Sequence, residues 1–403
     1  VNCVDNYYNI ATTGVTQPQV RITTSDAYDS EPAVALLVNS TKTFSVNLVT
    51  MGSAIITAED TLAAGTNYLS DVSPSITVGV GAAVKLQLLV PGEGAVAGSG
   101  TGKTGTPTAR TTGTAFNVTV NCVDANWNKV VTANPQVDIF TSDLYDTEPS
   151  EAFLSAGTKT YSVTLVTAGT TVVTAKDLAS VYTESISPSI TVNPNTVVKL
   201  QLLVPGEGAV PGYSGGKTGT PANQTVGTAF TVTVNGVDAN WNLVSSAGTT
   251  VKVATSDLYD TEPANAALVA GTKTFSVTPK TAGIMVITAS DVGGTGLTNN
   301  VSPNITVGVG AAVKLQLLVP SETALPGSGT GKAGSMISET AGNPFIVTVN
   351  CVDANWNKVI SVNGTNITIT TSDPYDTEPT SLTLGAGTST FNVTLQKAGT
   401  TVI

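Results

Sequence analysis

The side chains best suited to chemistry are carboxylates, which recur in groups of three within one loop. The loop reads SDxYDxEP and begins at residues 25, 142, 256 and 372. Oxygen ligands crowded into a loop are typical of Ca²⁺ sites, and loops of this composition also cap themselves through hydrogen bonds to their own backbone. The carboxylates of these acidic loops are Asp26, Asp29 and Glu31; Asp143, Asp146 and Glu148; Asp257, Asp260 and Glu262; and Asp373, Asp376 and Glu378.

A second recurrent motif combines a strand with a polar turn. In residues 114–130, TAFNVTVNCVDANWNKV, apolar and polar residues alternate from Phe116 to Cys122. This period of two predicts a half-buried β-strand. The following DANWN turn, 124–128, is rich in Asp and Asn, which favour turns. The block recurs at 228–244 and 343–359, and in part at 1–10.

The two motifs recur together every ~115 residues, which is the size of a domain rather than of a solenoid unit. We therefore expect four successive copies: a partial one at 1–81 that lacks its first strand, complete ones at 82–195 and 196–310, and a partial one at 311–403 that lacks its last strand. A chain that starts and stops inside a copy indicates a segment of a longer array. The alternative is a subunit whose incomplete copies are completed by strands from neighbours.

The second copy shows the expected strand pattern. Alternating runs begin near Val84, Phe116, Val137 and Tyr161, turns separate them every few residues, and no helical periodicity of useful length is present. This predicts an all-β protein of tandem immunoglobulin-like β-sandwiches with about seven strands each. The Gly/Thr excursion, residues 92–109, is expected to be too flexible and small to build a core, and Gln87 is expected on the outward side of the first strand.

The connections between copies are short, for example residues 79–83 and 308–312. Such linkers leave little freedom, so neighbouring copies are expected to touch and to form a semi-rigid rod. The topology of a sandwich places the acidic loop of one copy near the DANWN turn of the next. This arrangement would bring Asp26 and Asp29 to face Asp124 and Asn126, with Asp238 and Asp353 in equivalent turns. Bound Ca²⁺, direct packing between copies and ordinary capped turns are the three alternatives.

Aromatic residues accompany both motifs and have three interpretations. They meet at contacts between copies, or each Trp folds back over its own sandwich, or the rings form an exposed platform for carbohydrate. The residues concerned are Tyr28, Trp127, Tyr145, Trp241, Tyr259 and Trp356.

The composition excludes several classes of function. The net charge of −11 and the lack of a basic cluster argue against nucleic-acid binding. The absence of His removes the commonest general base, so an enzyme is not expected. No apolar run is long enough to span a bilayer. Residues 97–104 loosely match a phosphate-binding loop, but no strand leads into them and no helix follows, so nucleotide binding is not expected. Cys3, Cys122 and Cys351 share one position of the repeat, and the pattern favours a small buried core residue.

The VTVNxVDANxN strand and turn, paired with a predicted hairpin such as KTYSVTLVTAGTTVVTA at residues 159–175, resembles the bacterial Ig-like (Big) domains of large surface proteins, including invasin/intimin-type repeats. Those domains usually have Gly where Trp127, Trp241 and Trp356 stand, and usually lack the Gly/Thr excursion. The resemblance implies an extracellular location on a prokaryote and a role as stalk, fibre or adhesin.

Two functional hypotheses follow. The first is a non-enzymatic structural protein, a stalk or the body of a surface filament, whose partners are further copies of itself. The second is an adhesin that binds glycan or a surface protein through its loops. The second would be favoured if one copy differed from the others at its loops.

Overall fold

The computed structural model describes residues 1–62 and 68–403, and these fold as tandem immunoglobulin-like β-sandwiches. The described residues contain β-strands and no α-helix. The chain divides into two compact units, Val1–Asn193 and Pro194–Ile403. The first unit holds the first and second copies, and the second unit holds the third and fourth.

The second copy carries the complete set of strands. The strand that leads into the DANWN turn, β11 (Phe116–Val123), is called the organising strand. It pairs antiparallel with β7 (Lys85–Leu89) on one side and with β14 (Thr158–Val163) on the other. A second sheet has the order β13-β12-β16-β17, and a small third sheet has the order β10-β18-β15. The strands are β7 (Lys85–Leu89), β8 (Glu93–Ala95), β9 (Lys103–Gly105), β10 (Arg110–Thr111), β11 (Phe116–Val123), β12 (Gln136–Thr141), β13 (Ala152–Phe153), β14 (Thr158–Val163), β15 (Gly169–Thr171), β16 (Val173–Asp177), β17 (Ser185–Ile186) and β18 (Ile190–Asn193).

The alternation in the sequence explains the core of this copy. Phe116, Val118, Val120 and Cys122 of β11 are all buried, as their period predicts. They pack with residues from the facing sheet, such as Ile139 of β12, in one apolar cluster. Burial of this surface supplies the main drive for the fold.

The first copy is less complete, and its core is correspondingly small. Cys3, Val20, Ile22 and Leu37 form its buried cluster. Its strands are β1 (Gln19–Thr24), β2 (Ala35–Leu36), β3 (Gly52–Ala54), β4 (Ile56–Asp60), β5 (Asp71–Val72) and β6 (Ile76–Val78).

The third copy repeats the topology of the second, with sheets β19-β23-β26 and β25-β24-β28-β29. Its cluster of buried residues is as extensive as that of the second copy. Its strands are β19 (Lys199–Leu203), β20 (Glu207–Ala209), β21 (Lys217–Gly219), β22 (Gln224–Thr225), β23 (Phe230–Val237), β24 (Thr250–Thr255), β25 (Ala266–Ala267), β26 (Thr272–Val277), β27 (Gly283–Met285), β28 (Ile287–Asp291), β29 (Asn300–Val301) and β30 (Ile305–Gly308).

The fourth copy keeps the organising sheet, in the order β31-β34-β37. Residues of all three strands contribute to its core. Its strands are β31 (Lys314–Leu318), β32 (Thr323–Ala324), β33 (Lys332–Ala333), β34 (Phe345–Val352), β35 (Asn366–Ile367), β36 (Leu382–Thr383) and β37 (Thr388–Val393).

The Gly/Thr excursion departs from the sequence prediction. It is a folded hairpin in which β8 pairs with β9, closed by an ion pair between Lys103 and Glu93. It covers the outer side of β7, so Gln87 is 1% exposed rather than facing solvent. Gln87 Nε2 donates to the carbonyl of Gly102 at 2.6 Å, which ties the excursion to the sandwich. The pattern missed this because a buried Gln has the same polar signature as an exposed one.

Candidate functional site: the joint between successive copies

Each acidic loop is organised first by its own threonine. In the first copy, Thr24 donates its hydroxyl to Asp29, and the Thr24 amide donates to Glu31. The same two hydrogen bonds recur in the other copies at Thr141, Thr255 and Thr371. The second and third carboxylates of every loop therefore cap the loop itself, and Asp29 is held by Thr24 where the sequence had suggested that it would face the DANWN turn.

The first carboxylate of the loop does something different, because it reaches the segment that precedes β3. The sequence predicted a hairpin here, but in the second copy the corresponding segment joins β14 to β15, which lie in different sheets. Asp26 is buried and accepts hydrogen bonds from the amides of Val49 and Thr50 and from the Thr50 hydroxyl, at 2.6–2.8 Å. Burial alone would raise the pKa of Asp26, but these hydrogen bonds outweigh it and hold the pKa below its usual range. We call Val49–Met51 the receiving segment.

Equivalent carboxylates do the same in the other three copies. Asp143 holds Val166 and Thr167, Asp257 holds Lys280 and Thr281, and Asp373 holds Gln396 and Lys397. Among the described residues, 1–62 and 68–403, no group of three or more Asp, Glu, Cys or His side chains is arranged to hold a metal ion. The carboxylate oxygens of the acidic loops accept hydrogen bonds from the protein itself, and Ca²⁺ binding there stays a prediction.

The DANWN turn is built around its own buried carboxylate. Asp124 is 3% exposed and accepts from the amides of Asn126 and Asn128 and from the Asn128 side chain. It also accepts from the amide of Gly81, in the linker, at 2.9 Å. Burial alone would raise the pKa of Asp124, but the hydrogen bonds from Asn128 and Gly81 outweigh burial and lower this pKa. One carboxylate therefore fixes both the linker and the Asn128 side chain.

Asn128 joins the second copy to the first. Its Nδ2 donates to the carbonyl of Val49 at 2.9 Å, and its Oδ1 accepts from the amide of Met51 at 2.8 Å. Asn128 is 2% exposed, so both hydrogen bonds are sheltered from water. Asp26 and Asn128 thus hold the receiving segment from two sides, one from each copy.

The joint in the second unit has the same geometry. Asn357 donates to the carbonyl of Lys280 at 2.9 Å and accepts from the amide of Ala282 at 2.8 Å. Asp353 accepts from the linker amide of Gly310 at 2.9 Å, as Asp124 does from Gly81. The two joints therefore use the same pair of hydrogen bonds.

The Gly/Thr excursion and its counterpart in the fourth copy also take part in the joints within the two units. The amide of Gly98 donates to the carbonyl of Asn126 at 2.7 Å, which seats the tip of the excursion on the turn. Gly98 then lies against Thr50 and Tyr28 of the first copy. In the second unit, Gly327 lies against Thr281 and Tyr259.

The tryptophans contact their own copies. The Nζ atom of Lys85 lies 3.4 Å from the centroid of the Trp127 ring, and Gly102 packs against the same ring. Trp241 and Trp356 have equivalent lysines at 3.5 and 3.4 Å. Trp127 has a φ of 67°, the left-handed region that glycine favours, which explains why a related turn would carry Gly here. The arrangement matches the interpretation in which each Trp folds back over its own sandwich.

The side chains that bridge the joints, Asn128 and Asn357, were not among the predicted site residues. They were not predicted, because the prediction concerned oxygen ligands for Ca²⁺ and carboxylates that face the DANWN turn, whereas the contact is made by the side-chain amide that ends the turn. A signal was present, since an Asn ends this turn in all four copies, at residues 9, 128, 242 and 357. Thr50 and Thr281 carried no such signal, because Thr is abundant throughout the chain.

In the part of the chain that the structure describes, no helix is long and apolar enough to cross a membrane.

Distant similarities exist among solved structures. The Escherichia coli adhesin FdeC is 16% identical with a TM-score of 0.31, and the match covers 79% of this chain and 91% of FdeC. Fibronectin(III)-like modules of Clostridium thermocellum CbhA are 14% identical with a TM-score of 0.17, covering 56% of this chain and 94% of theirs. E. coli alpha-2-macroglobulin is 11% identical with a TM-score of 0.28, covering 96% of this chain and 25% of its own. A scan of family models gave no match to the sequence, and a search of curated proteins gave none. None of these similarities assigns an activity to the chain.

Proposed function

We propose that this protein is a non-enzymatic structural repeat protein, a stalk or filament body at a prokaryotic cell surface, in which the joints fix each copy against the next. The observation that supports this is the pair of buried hydrogen bonds from Asn128 to Val49 and Met51, repeated by Asn357 at Lys280 and Ala282. A spacer needs resistance to bending more than it needs an active site. The resemblance of its motifs to Big domains supports an extracellular location.

Replacement of the two Asn residues that bridge the joints, Asn128 and Asn357, tests the proposal. In Asn128→Ala/Asn357→Ala, the carbonyls of Val49 and Lys280 and the amides of Met51 and Ala282 lose sheltered partners, a cost of about 1–3 kcal/mol at each joint. We expect faster hydrogen exchange at Met51 and Ala282 and a broader range of conformations in small-angle X-ray scattering, with unchanged exchange in the cores.

Asn9→Ala provides the matched control, since Asn9 ends the same kind of turn but its side chain bonds Asp5 within that turn. Unaltered scattering and exchange in the double variant would refute the spacer role. A chelator such as EDTA should leave the joints of the native protein unchanged, because protein donors occupy the oxygens of Asp26 and Asp124. Faster exchange after chelation would instead assign Ca²⁺ to the joints.

One observation favours an adhesin as the second candidate, because the second copy has a groove lined by residues that the third copy lacks. The groove has a volume of about 530 Å³, within the range of ligand sites. Phe153 and Val181 are 65% and 68% exposed there. At the position of Phe153 the third copy has Ala267.

The chemistry of this groove suits a neutral ligand that presents both an apolar face and hydroxyl groups, such as a sugar ring. The only carboxylate in the lining, Asp177, is buried and accepts from the amides of Ala179, Val181 and Tyr182. Phe153 offers an aromatic face, and Asn134 and Gln136 offer amides. Binding of the full chain to neutral glycans on an array, lost in Phe153→Ala and retained in Ala267→Ser, would support this role. No binding above background would remove it.

A further inference from the structure

The tip of the Gly/Thr excursion is held rigidly by its own copy. Val96 donates its amide to the carbonyl of Gly102 at 2.7 Å, and Gly102 donates to the Ser99 hydroxyl at 3.0 Å. Together with the hydrogen bond from Gly98 to Asn126, these contacts close residues 96–102 into a fixed loop. The position of Gly98 is therefore fixed by contacts within its own copy.

The surroundings of Gly98 belong to the preceding copy. A Cβ atom at this position would lie 2.0 Å from Thr50 Oγ1, 3.1 Å from Thr50 Cβ and 3.2 Å from Tyr28 Cδ2. At Gly327 the corresponding distances are 2.2 Å to Thr281 Oγ1 and 2.9 Å to Tyr259 Cδ2. Any side chain at either glycine would collide with the copy before it.

The opposing threonines cannot withdraw easily. Thr50 donates its hydroxyl to Asp26 at 2.6 Å, and Thr281 donates to Asp257 at 2.7 Å. Asp26 and Asp257 also accept hydrogen bonds from the backbone segments that Asn128 and Asn357 contact. A shift of either Thr would therefore break contacts on which the joint depends. The fit between glycine and threonine is thus tied to the geometry of the whole joint.

We propose that the excursion is an interaction surface for the preceding copy, and that Gly98 and Gly327 determine which copies can seat there. The partner is a pole of this repeat that presents a Thr held by the acidic loop, with the loop Tyr beside it. The fourth copy has Lys397 at the position of that Thr, so its pole does not meet this requirement. This inference rests on the proposed structural role and adds a rule for pairing between copies.

The test compares Gly98→Ala with two controls in the full chain. Gly100→Ala changes the same excursion at a position with open space around it, and Gly14→Ala adds a methyl group at a positive φ with nothing within 4 Å. We expect hydrogen exchange at the Met51 amide to accelerate at least about tenfold in Gly98→Ala and to stay native in both controls. In the Thr50→Ala background, which lacks both the closest atom and the hydroxyl that donates to Asp26, Gly98→Ala should accelerate exchange clearly less than it does in the native background.

Native exchange at Met51 in Gly98→Ala would overturn the inference. Equal acceleration by Gly98→Ala in the native and the Thr50→Ala backgrounds would also overturn it, because backbone strain at position 98 would then explain the effect. If Asn128→Ala opens the joint while Gly98→Ala does not, the spacer role stands and the pairing rule fails. If neither opens it, both fail.

Discussion

At the scale of single residues, two core positions differ between the copies in a complementary way, with a larger side chain at one position where the other is smaller. The second and fourth copies pair Ala83 with Cys122 and Ala312 with Cys351, whereas the third pairs Val197 with Gly236. A Cβ at Gly236 would lie 2.7 Å from Ala247 Cβ and 3.3 Å from Val197 Cγ2. Val197 therefore closes, together with Ala247 and Leu268, around the position where the other copies carry a Cys side chain, and the packing stays close.

This exchange predicts that Gly236→Cys destabilises the third copy by about 1–3 kcal/mol, although Cys is native at this position in the other copies. Val197→Ala should destabilise it as well, by leaving a cavity. The double variant should recover most of the loss, because it recreates the pair of the second copy. Denaturant unfolding followed by hydrogen exchange in β19 and β23 measures this. Additive losses in the double variant would contradict the prediction.

The acidic loop at the joint of the second unit contains carboxylates whose pKa values are shifted in opposite directions. The pKa of Asp257 lies below its usual range, because hydrogen bonds from Thr281 and Lys280 outweigh burial. The pKa values of Asp260 and Glu262 are raised, chiefly by burial. Stabilisation by Asp257 is present above the unfolded pKa of about 3.9 and is lost as the pH falls through its lower folded pKa. Stabilisation by Asp260 and Glu262 is present below their unfolded pKa values and is lost as the pH rises through the folded ones.

The joint should therefore be best protected in mildly acidic solution, near pH 4–5, and should loosen below about pH 4. Hydrogen exchange of the Ala282 amide from pH 7 to pH 3, corrected for the intrinsic rate, measures this. Asp260→Asn/Glu262→Gln should flatten the change between pH 7 and pH 5 and leave the loss in stronger acid. A steady decline in protection from pH 7 downward in the native protein would contradict the prediction.

At the scale of elements, a buried polar chain links the excursion to the organising sheet. Asn121 Nδ2 donates to Gln87 Oε1 at 2.8 Å, and Thr158 donates its hydroxyl to Asn121 Oδ1 at 2.7 Å. Gln87 in turn donates to Gly102. Equivalent chains run through Gln201 with Asn235 and through Gln316 with Asn350. Each first strand is therefore apolar on one side and hydrogen-bonded to the excursion on the other.

We expect Gln87→Leu to release the excursion. The side-chain amide of Asn121 would lose its buried acceptor, at a cost of about 1–3 kcal/mol. The carbonyl of Gly102 would keep only its hydrogen bond from the Val96 amide. Hydrogen exchange in β8 and β9 should accelerate while exchange in β12 and β16 remains slow. Gln17→Leu in the first copy is a control, because Gln17 is partly buried but does not belong to this series of hydrogen bonds. Slow exchange in β8 and β9 of the Gln87 variant would show that the hairpin is stable without the polar chain.

The elements differ in how far their sequence predicts them. The organising strand is visible in the sequence because Phe116, Val118 and Val120 alternate with polar residues, and the structure confirms that all three are buried. The excursion is not visible, because its order comes from single contacts such as Gln87 with Gly102, which local patterns do not encode. Similarly, composition marked the acidic loops, but which oxygen binds which amide depends on a segment about 23 residues further along the chain.

At the scale of the whole molecule, each copy keeps its own buried cluster among the described residues, and the two joints described reuse one set of contacts. Approach of the acidic loop to the following DANWN turn was predicted from topology, and in both units the receiving segment held by that loop meets the turn. The side chains that meet there were not predicted, because the sequence shows which loops share a pole and not which atoms touch.

The first strands of the second, third and fourth copies all read KLQLL. Each pairs with its organising strand in the same register, so that Lys85, Lys199 and Lys314 lie opposite Val123, Val237 and Val352. During refolding, an organising strand therefore meets three first strands that fit it equally well, and strand exchange between copies competes with correct pairing. Synthesis on the ribosome removes this competition, because each first strand emerges shortly before the organising strand of its own copy. The protein should accordingly fold far more cleanly as it is made than after complete denaturation.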